Sequence, residues 1–238
     1  DYFQAVKGGG HGDYRLIVLA PASVQEMYDF VGLGFELAMK YRNPAMILSD
    51  GVIGQMMEKV ELGPQINRRS REEVIKNAPW ATTGKTPDRE RNIITSLDLI
   101  AANQEKFNIK IQAKYAKIQE TEVRFEEIDT KDADYIFVAY GSSSRICQSA
   151  MKIARAKGIK VGLLRPITLF PFPKKRIAEM AETVKGFLSV EMSAGQMVED
   201  VRLAVNGKKP VEHYGRMGGI IPTPEEIVNA LQHKLIGG

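Results

Sequence analysis

Apolar positions near the start of the chain follow a strand–helix–strand pattern. Residues 16–20 form a short apolar run that ends at a proline, and residues 45–49 form a second one. Short apolar runs that are closed by turn residues predict buried strands. The segment between them has helical periodicity and is stopped by Asn43-Pro44. A strand, a helix and a returning strand predict a parallel sheet.

The helix between these strands carries its own start signal. Ser23 can cap the first turn, and Glu26 stands three residues later, where a capping box requires an acidic residue. The helix is expected to run to about Tyr41, with an apolar face facing the core. That face is predicted to consist of Met27, Phe30, Val31, Leu33, Phe35 and Leu37.

The second half of the chain, from residue 132, repeats the alternation. Strands are predicted at 135–139, 159–164, 186–190 and near 211–214, and helices at 145–157, 174–184 and 196–205, with a terminal helix that Thr223-Pro224 opens. This pattern predicts a doubly wound α/β domain at 132–238. Residues 1–62 form the first domain in this reading, and 63–131 form a polar linker with one long helix over about 88–118.

Composition narrows the classes of protein and partner. The chain is 44% hydrophobic and 26% charged with a net charge of +4, and its basic residues are dispersed, which argues against nucleic acid as a partner. The single cysteine, Cys147, excludes a disulfide or a cysteine-based cluster within the chain, and this favours a reducing cytoplasm. No apolar run predicts a bilayer span, so no membrane association is expected.

A glycine-rich loop precedes the first strand and carries polar candidates. Residues 8–12 include four glycines around His11, and Asp13 and Arg15 follow. The loop could line the mouth of an active site, with Arg15 or His11 facing an anionic substrate. It could equally be a connection whose polar side chains hold it in place. The loop is not a dinucleotide-binding fingerprint, because it comes before a strand.

Further candidates stand where predicted strands end, since ligands of open α/β sheets gather at the carboxyl ends. Asp50 could contact a ligand or cap the turn after its strand. Glu191 could act as an acid or base, or could serve the scaffold or a subunit interface. The serines of residues 141–144 suit a helix cap better than a phosphate site. The three histidines lack metal-ligand spacing, so no metal site is expected within this chain.

Several stretches together resemble a known family. They are Asp1–Ala5 with residues 8–15, residues 20–29, Leu48–Gly51, residues 138–142, residues 164–173 and the Glu191–Gln196 segment. In order and spacing they are similar to α-type subunits of the 2-oxoacid:ferredoxin oxidoreductases, and the first stretch is closest to branched-chain members. The resemblance implies a thiamine-diphosphate pyrimidine-binding domain, truncated at its start, followed by a transketolase C-terminal-like domain.

The resemblance also implies an activity and its partners. Such enzymes oxidatively decarboxylate a 2-oxoacid to an acyl-CoA and pass electrons to ferredoxin. Thiamine diphosphate and Mg²⁺ would be shared with a β-type subunit, and iron–sulfur clusters would lie on γ-type and ferredoxin-like subunits. The activating glutamate should lie upstream of Asp1, so catalytic residues stay unassigned. The isolated chain is therefore expected to be inactive, to lack thiamine-diphosphate affinity and to self-associate. A transketolase-type transferase and a non-catalytic scaffold remain alternatives.

Overall fold

The computed structural model describes residues 1–10, 12–63, 69–85 and 87–237. These residues form two compact units. One combines Asp1–Val60 with Tyr115–Gly238, and the other is Glu61–Lys114. His11 lies outside the described residues. Within the described ranges, no helix is long and apolar enough to cross a membrane.

A three-stranded sheet lies in the larger unit. Its central strand is β1 (Ile17–Leu19), with β2 (Ala45–Ile47) on one side and β6 (Thr168–Phe170) on the other. Strand β1 (Ile17–Leu19) and strand β2 (Ala45–Ile47) pair in parallel, so the predicted strand–helix–strand unit is confirmed. Strand β6 (Thr168–Phe170) pairs with β1 in the antiparallel direction and was not predicted. A strand from the second half of the sequence therefore completes the sheet of the first half.

Helix α2 (Val24–Tyr41) connects β1 and β2, with α1 (Tyr2–Lys7) before them and α3 (Gly51–Gln55) after them. The predicted cap is present, because the Ser23 hydroxyl accepts the Glu26 amide at 3.1 Å. The reciprocal half of the box is absent; the Glu26 carboxylate instead accepts the Ala22 amide at 2.7 Å. The predicted apolar face is partly wrong, since Val31 and Phe35 are 49% and 73% exposed.

The larger sheet has the order β3-β5-β4-β7-β8. Its strands β4 (Tyr135–Val138), β5 (Val161–Pro166), β7 (Gly186–Glu191) and β8 (Val211–Gly215) run parallel. The edge strand β3 (Phe125–Ile128) is antiparallel to β5 and was not predicted. Because Ile136 and Phe137 belong to separate core clusters, the alternating side chains of β4 bury both faces of the sheet.

Helices cover both faces of this sheet, which confirms the doubly wound prediction. Helices α7 (Lys174–Met180) and α8 (Met197–Val205) contribute to one core cluster. Helices α6 (Gly141–Ala156) and α9 (Pro224–Leu231) contribute to the other, and a π-helical turn (Gln232–Ile236) follows α9.

The prediction of one long helix over about 88–118 is partly wrong. Helix α4 (Arg71–Asn77) starts with a complete capping box formed by Ser70 and Glu73. Helix α5 (Ala101–Thr121) begins 13 residues later than the predicted start at residue 88. The Asp98 carboxylate accepts the Ile100 amide at 2.9 Å, and this local turn competes with a helix that would start earlier.

Candidate functional site

A cavity of about 280 Å³ lies where the carboxyl ends of β2, β4 and β7 meet. Residues that directly follow these strands line it, as expected for an α/β fold. The lining includes two of the predicted site residues, Asp50 and Glu191, together with Ser49, Tyr140, Ser143 and Ser193. The sequence therefore located both carboxylates at strand ends, and the fold brings those ends to one place.

Asp50 joins two helix starts that are distant in sequence. One carboxylate oxygen accepts the Val52 and Ile53 amides at 3.0 Å each, which caps α3. The other accepts the Ser142 amide at 2.8 Å, at the start of α6. Gly141 is needed here, because its φ is 59° and a Cβ would lie 2.7 Å from the Asp50 carboxylate. Asp50 thus connects the end of β2 to the second half of the fold.

Glu191 is 2% exposed, and its carboxylate binds several donors of the loop that leads into α8. Its oxygens accept the amides of residues 196–198 at 2.9 Å each, which satisfies the start of the helix. The hydroxyls of Ser189 and Ser193 donate to it at 3.0 Å. A carboxylate offers about four lone-pair positions. With five donors already bound, Glu191 has no lone-pair position free for a further hydrogen bond.

Two tyrosines form the aromatic side of the cavity. The rings of Tyr2 and Tyr140 lie 5.9 Å apart. Burial, followed by the charges of Glu191 and Asp50, raises the pKa of Tyr140. Burial and Asp200, whose carboxylate accepts the Tyr2 hydroxyl at 2.7 Å, raise the pKa of Tyr2. Both phenols are therefore protonated at neutral pH. Neither tyrosine was predicted as a site residue, although Tyr140 directly follows a predicted strand.

His213, on β8, was considered from the sequence only as a metal ligand, and the structure places it beside Glu191. Its Nε2 atom lies 3.9 Å from a Glu191 oxygen, beyond hydrogen-bond distance, and has no other partner within the described residues. Burial lowers the pKa of His213, although the charge of Glu191 opposes the shift. The search for metal-ligand spacing could not reveal this contact, because the neighbour is a carboxylate on another strand.

Asp13 and Arg15, which follow the glycine-rich loop, precede the amino end of β1. The Arg15 guanidinium donates to the Tyr14 carbonyl at 2.8 Å, and the Arg15 carbonyl accepts from the Asn43 side chain, just before β2. Asp13 is exposed. Arg15 precedes the amino end of β1, whereas Asp50 follows the carboxyl end of β2, and the two strands run parallel, so Arg15 and Asp50 lie at opposite ends of the strands. The fold does not bring these predicted site residues together.

The described side chains do not by themselves fit thiamine diphosphate. An aminopyrimidine requires a carboxylate with free acceptor positions, whereas Glu191 is fully occupied and Asp50 already binds three amides. Over residues 1–10, 12–63, 69–85 and 87–237, no group of three or more His, Cys, Asp or Glu side chains could hold a metal ion. A complete site would need further residues.

Comparison with known proteins gives two collinear family matches. Residues 1–129 match the thiamine-diphosphate-binding domain of pyruvate flavodoxin/ferredoxin oxidoreductases, and residues 133–227 match core domain II of pyruvate:ferredoxin oxidoreductase. The chain is also similar in fold to a 2-oxoglutarate:ferredoxin oxidoreductase from Magnetococcus marinus. The TM-score is 0.74 at 24% identity, over 98% of this chain and 44% of that one.

Curated relatives agree with these matches. The chain is 52% identical to the ketoisovalerate oxidoreductase subunit VorB of Methanothermobacter thermautotrophicus, over 92% of this chain and 60% of the relative. It is 50% identical to the subunit of the same name from Methanothermobacter marburgensis, over 98% of this chain and 64% of the relative. The 2-oxoglutarate synthase subunit KorA of that species is 34% identical, over 97% and 67%.

The chain thus spans about 60–64% of the length of its two ketoisovalerate relatives. A split-gene transketolase shares the fold more distantly, with a TM-score of 0.51 at 15% identity, over 92% of this chain and 57% of that one. The order of the two family domains and the identity to curated subunits confirm the resemblance found in the sequence. The chain belongs to the 2-oxoacid:ferredoxin oxidoreductase family and carries its thiamine-diphosphate-binding domain followed by core domain II.

Proposed function

We propose that this chain is part of a subunit of an enzyme that oxidatively decarboxylates a branched-chain 2-oxoacid to acyl-CoA and delivers the electrons to ferredoxin. The observation that carries the proposal is the 50–52% identity to two ketoisovalerate oxidoreductase subunits, against 34% to a 2-oxoglutarate synthase subunit. The difference supports 3-methyl-2-oxobutanoate as the preferred substrate, and a cytoplasmic location suits this chemistry.

The cofactors of the assembled enzyme are part of the same proposal. Thiamine diphosphate would supply carbanion stabilisation and an electron sink, with Mg²⁺, at a site shared with a β-type subunit. Iron–sulfur clusters would belong to γ-type and ferredoxin-like subunits, and coenzyme A would accept the acyl group. Glu191 already binds five donors and Asp50 already binds three amides, which supports a reactive carboxylate supplied from outside the described residues.

The residues of this chain then have supporting roles. Glu191 fixes the start of α8, and Asp50 holds the end of β2 against α6, so both are assigned to the scaffold around the cavity. We propose that His11, Asp13 and Arg15 lie near the mouth of the site only in the assembled enzyme, because within this chain Arg15 precedes β1 and does not line the strand-end cavity. The functional domains of this proposal are 1–62, the linker 63–131 and 132–238.

Reduction of a viologen dye tests the proposal. The full-length protein is assembled anaerobically with its companion subunits and supplied with thiamine diphosphate, Mg²⁺ and coenzyme A. The expected result is dye reduction with the highest kcat/KM for 3-methyl-2-oxobutanoate, compared with pyruvate and 2-oxoglutarate. Transfer of a two-carbon unit between sugar phosphates without dye reduction would instead identify a transketolase-type enzyme.

A further inference from the structure

An open groove of about 810 Å³ lies on the larger unit, and its lining shares no residue with that of the strand-end cavity. One wall is a face of α6 that carries Arg145, Gln148, Ser149 and Lys152, at the spacing of successive helical turns. The other wall is the segment that leads into α9, with Ile221, Pro222 and Pro224. The proposed function uses none of these residues.

Two of the three basic side chains that line the groove have carboxylate partners. Arg165, at its base, is bound by Glu26 through two hydrogen bonds of 2.7 and 2.8 Å. Arg145 donates to Glu58 and to the Ala22 carbonyl. Lys152 is exposed and forms no ion pair with any residue that the structure describes. The α6 wall therefore presents uncompensated positive charge at the Lys152 end.

The opposite wall is apolar and its apolar surface continues beyond the groove. Ile221 is 46% exposed, and the preceding residues Met217 and Ile220 are 60% and 50% exposed. Proline at 222 and 224 lacks a backbone N–H donor, so this wall offers mainly its side chains for contact. An exposed apolar strip beside a charged rim is typical of a protein-binding surface.

We propose that the groove binds an extended segment of a companion subunit, with carboxylates facing α6 and apolar side chains facing Ile221. Arg145 is already engaged, so a small anion would gain little there, whereas a segment can reach Lys152 and the apolar strip together. Charge complementarity selects an acidic segment and would speed association at low salt. The inference rests on the proposed function, because it requires a multi-subunit enzyme.

Two charge reversals on α6 and its end provide the test. Lys152→Glu acts within the groove, and Lys157→Glu makes the same change at the exposed C-terminal cap of the same helix, outside the groove. Affinity for the companion subunits is measured by calorimetry on the full-length protein. Lys152→Glu is expected to raise the Kd about tenfold and to weaken its salt dependence. Lys157→Glu is expected to stay within about twofold of the parent.

A second pair of variants tests the apolar wall. Ile221→Ser is compared with Ile236→Ser, whose side chain is similarly exposed at 43% but does not line the groove. Only Ile221→Ser is expected to weaken binding. In parallel, chemical acetylation of Lys152 should be blocked in the complex while Lys157 still reacts. Circular dichroism of each variant confirms that it is folded.

The outcomes separate this inference from the proposed function. If the parent protein binds the companion subunits and both groove variants bind equally well, the groove inference is wrong and the function stands. Continued acetylation of Lys152 in the complex leads to the same conclusion. If the parent protein binds no companion subunit and shows no dye reduction, the proposed function fails first.

Discussion

Replacement of Glu122 by glutamine should destabilise the chain in a pH-dependent way. The Glu122 side chain is 3% exposed and accepts from Lys40 at 2.7 Å, from the Tyr41 hydroxyl at 2.5 Å and from Arg124 at 3.0 Å. Burial disfavours the carboxylate, but these hydrogen bonds outweigh burial and lower the pKa of Glu122 to about 2 from an ordinary value of 4.5. The cluster connects the end of α2 to the segment between α5 and β3.

The magnitude follows from linkage. A folded-state pKa below the unfolded value stabilises the protein above the unfolded pKa, and this stabilisation is lost as the pH falls through the folded pKa. A difference of about 2.5 units corresponds to about 3 kcal/mol at pH 7. The same relation leaves about 1.5 kcal/mol at pH 3 and under about 0.5 kcal/mol at pH 2. The window of loss therefore extends from about pH 4.5 down to about pH 2.

Urea denaturation at pH 7, 5 and 3 measures this effect. The free energy of unfolding of Glu122→Gln should fall below the parent value by about 3 kcal/mol at pH 7 and by about half of that at pH 3. Glu120→Gln, at an exposed position near the end of α5, is the control and should change stability by less than about 0.5 kcal/mol. A difference between Glu122→Gln and the parent that stays constant from pH 7 to pH 3 would refute the reasoning.

Three further substitutions test the contacts around the cavity and the groove. Gly141→Ala should lower the free energy of unfolding by at least about 2 kcal/mol in thermal denaturation, because the added Cβ has an unfavourable φ and also clashes with Asp50. The control Gly218→Ala has a similar φ of 66° but open space around the Cβ, so it should lower that free energy by only about 1 kcal/mol. Glu191→Gln should lower the free energy of unfolding by about 3 kcal/mol and should speed hydrogen exchange of the first amides of α8, because the glutamine nitrogen cannot accept hydrogen bonds from these amides. Unchanged exchange would contradict the capping role of Glu191. Arg165→Met should lower the free energy of unfolding by about 3 kcal/mol, because it leaves the half-buried Glu26 carboxylate without this partner. In a double-mutant cycle, adding Glu26→Gln should recover part of that loss.

Local periodicity made much of the fold predictable. Three predicted features depend only on residues that are close in sequence, and the structure has each of them. They are the strand–helix–strand unit, the strand and helix alternation of the second half, and the helix caps at Ser23 and Thr223. The positions of Asp50 and Glu191 at strand ends were also readable, because a strand end is a local feature. Their meeting at one cavity followed from the parallel topology.

Other features depend on contacts between distant residues. Strand β3 carries glutamates at 126 and 127, so its sequence is too polar to indicate a strand; Glu127 is held by Arg176 on α7. Phe35 was expected inside because helical periodicity alone cannot distinguish core from an exposed apolar face. The five donors to Glu191 gather from a folded loop, and no spacing in the sequence reveals that this carboxylate is already saturated.

The pairing of β6 with β1 means that the family's two regions are interlocked in space although they are consecutive in sequence. The first match ends at residue 129, yet the side of β1 that faces away from β2 is paired with Thr168–Phe170, beyond that match. A polypeptide ending at 129 would leave that side of β1 bare, with unpaired amides inviting aggregation. The two matched regions therefore share one sheet, and the first region completes the pairing of its strands only when the second is present.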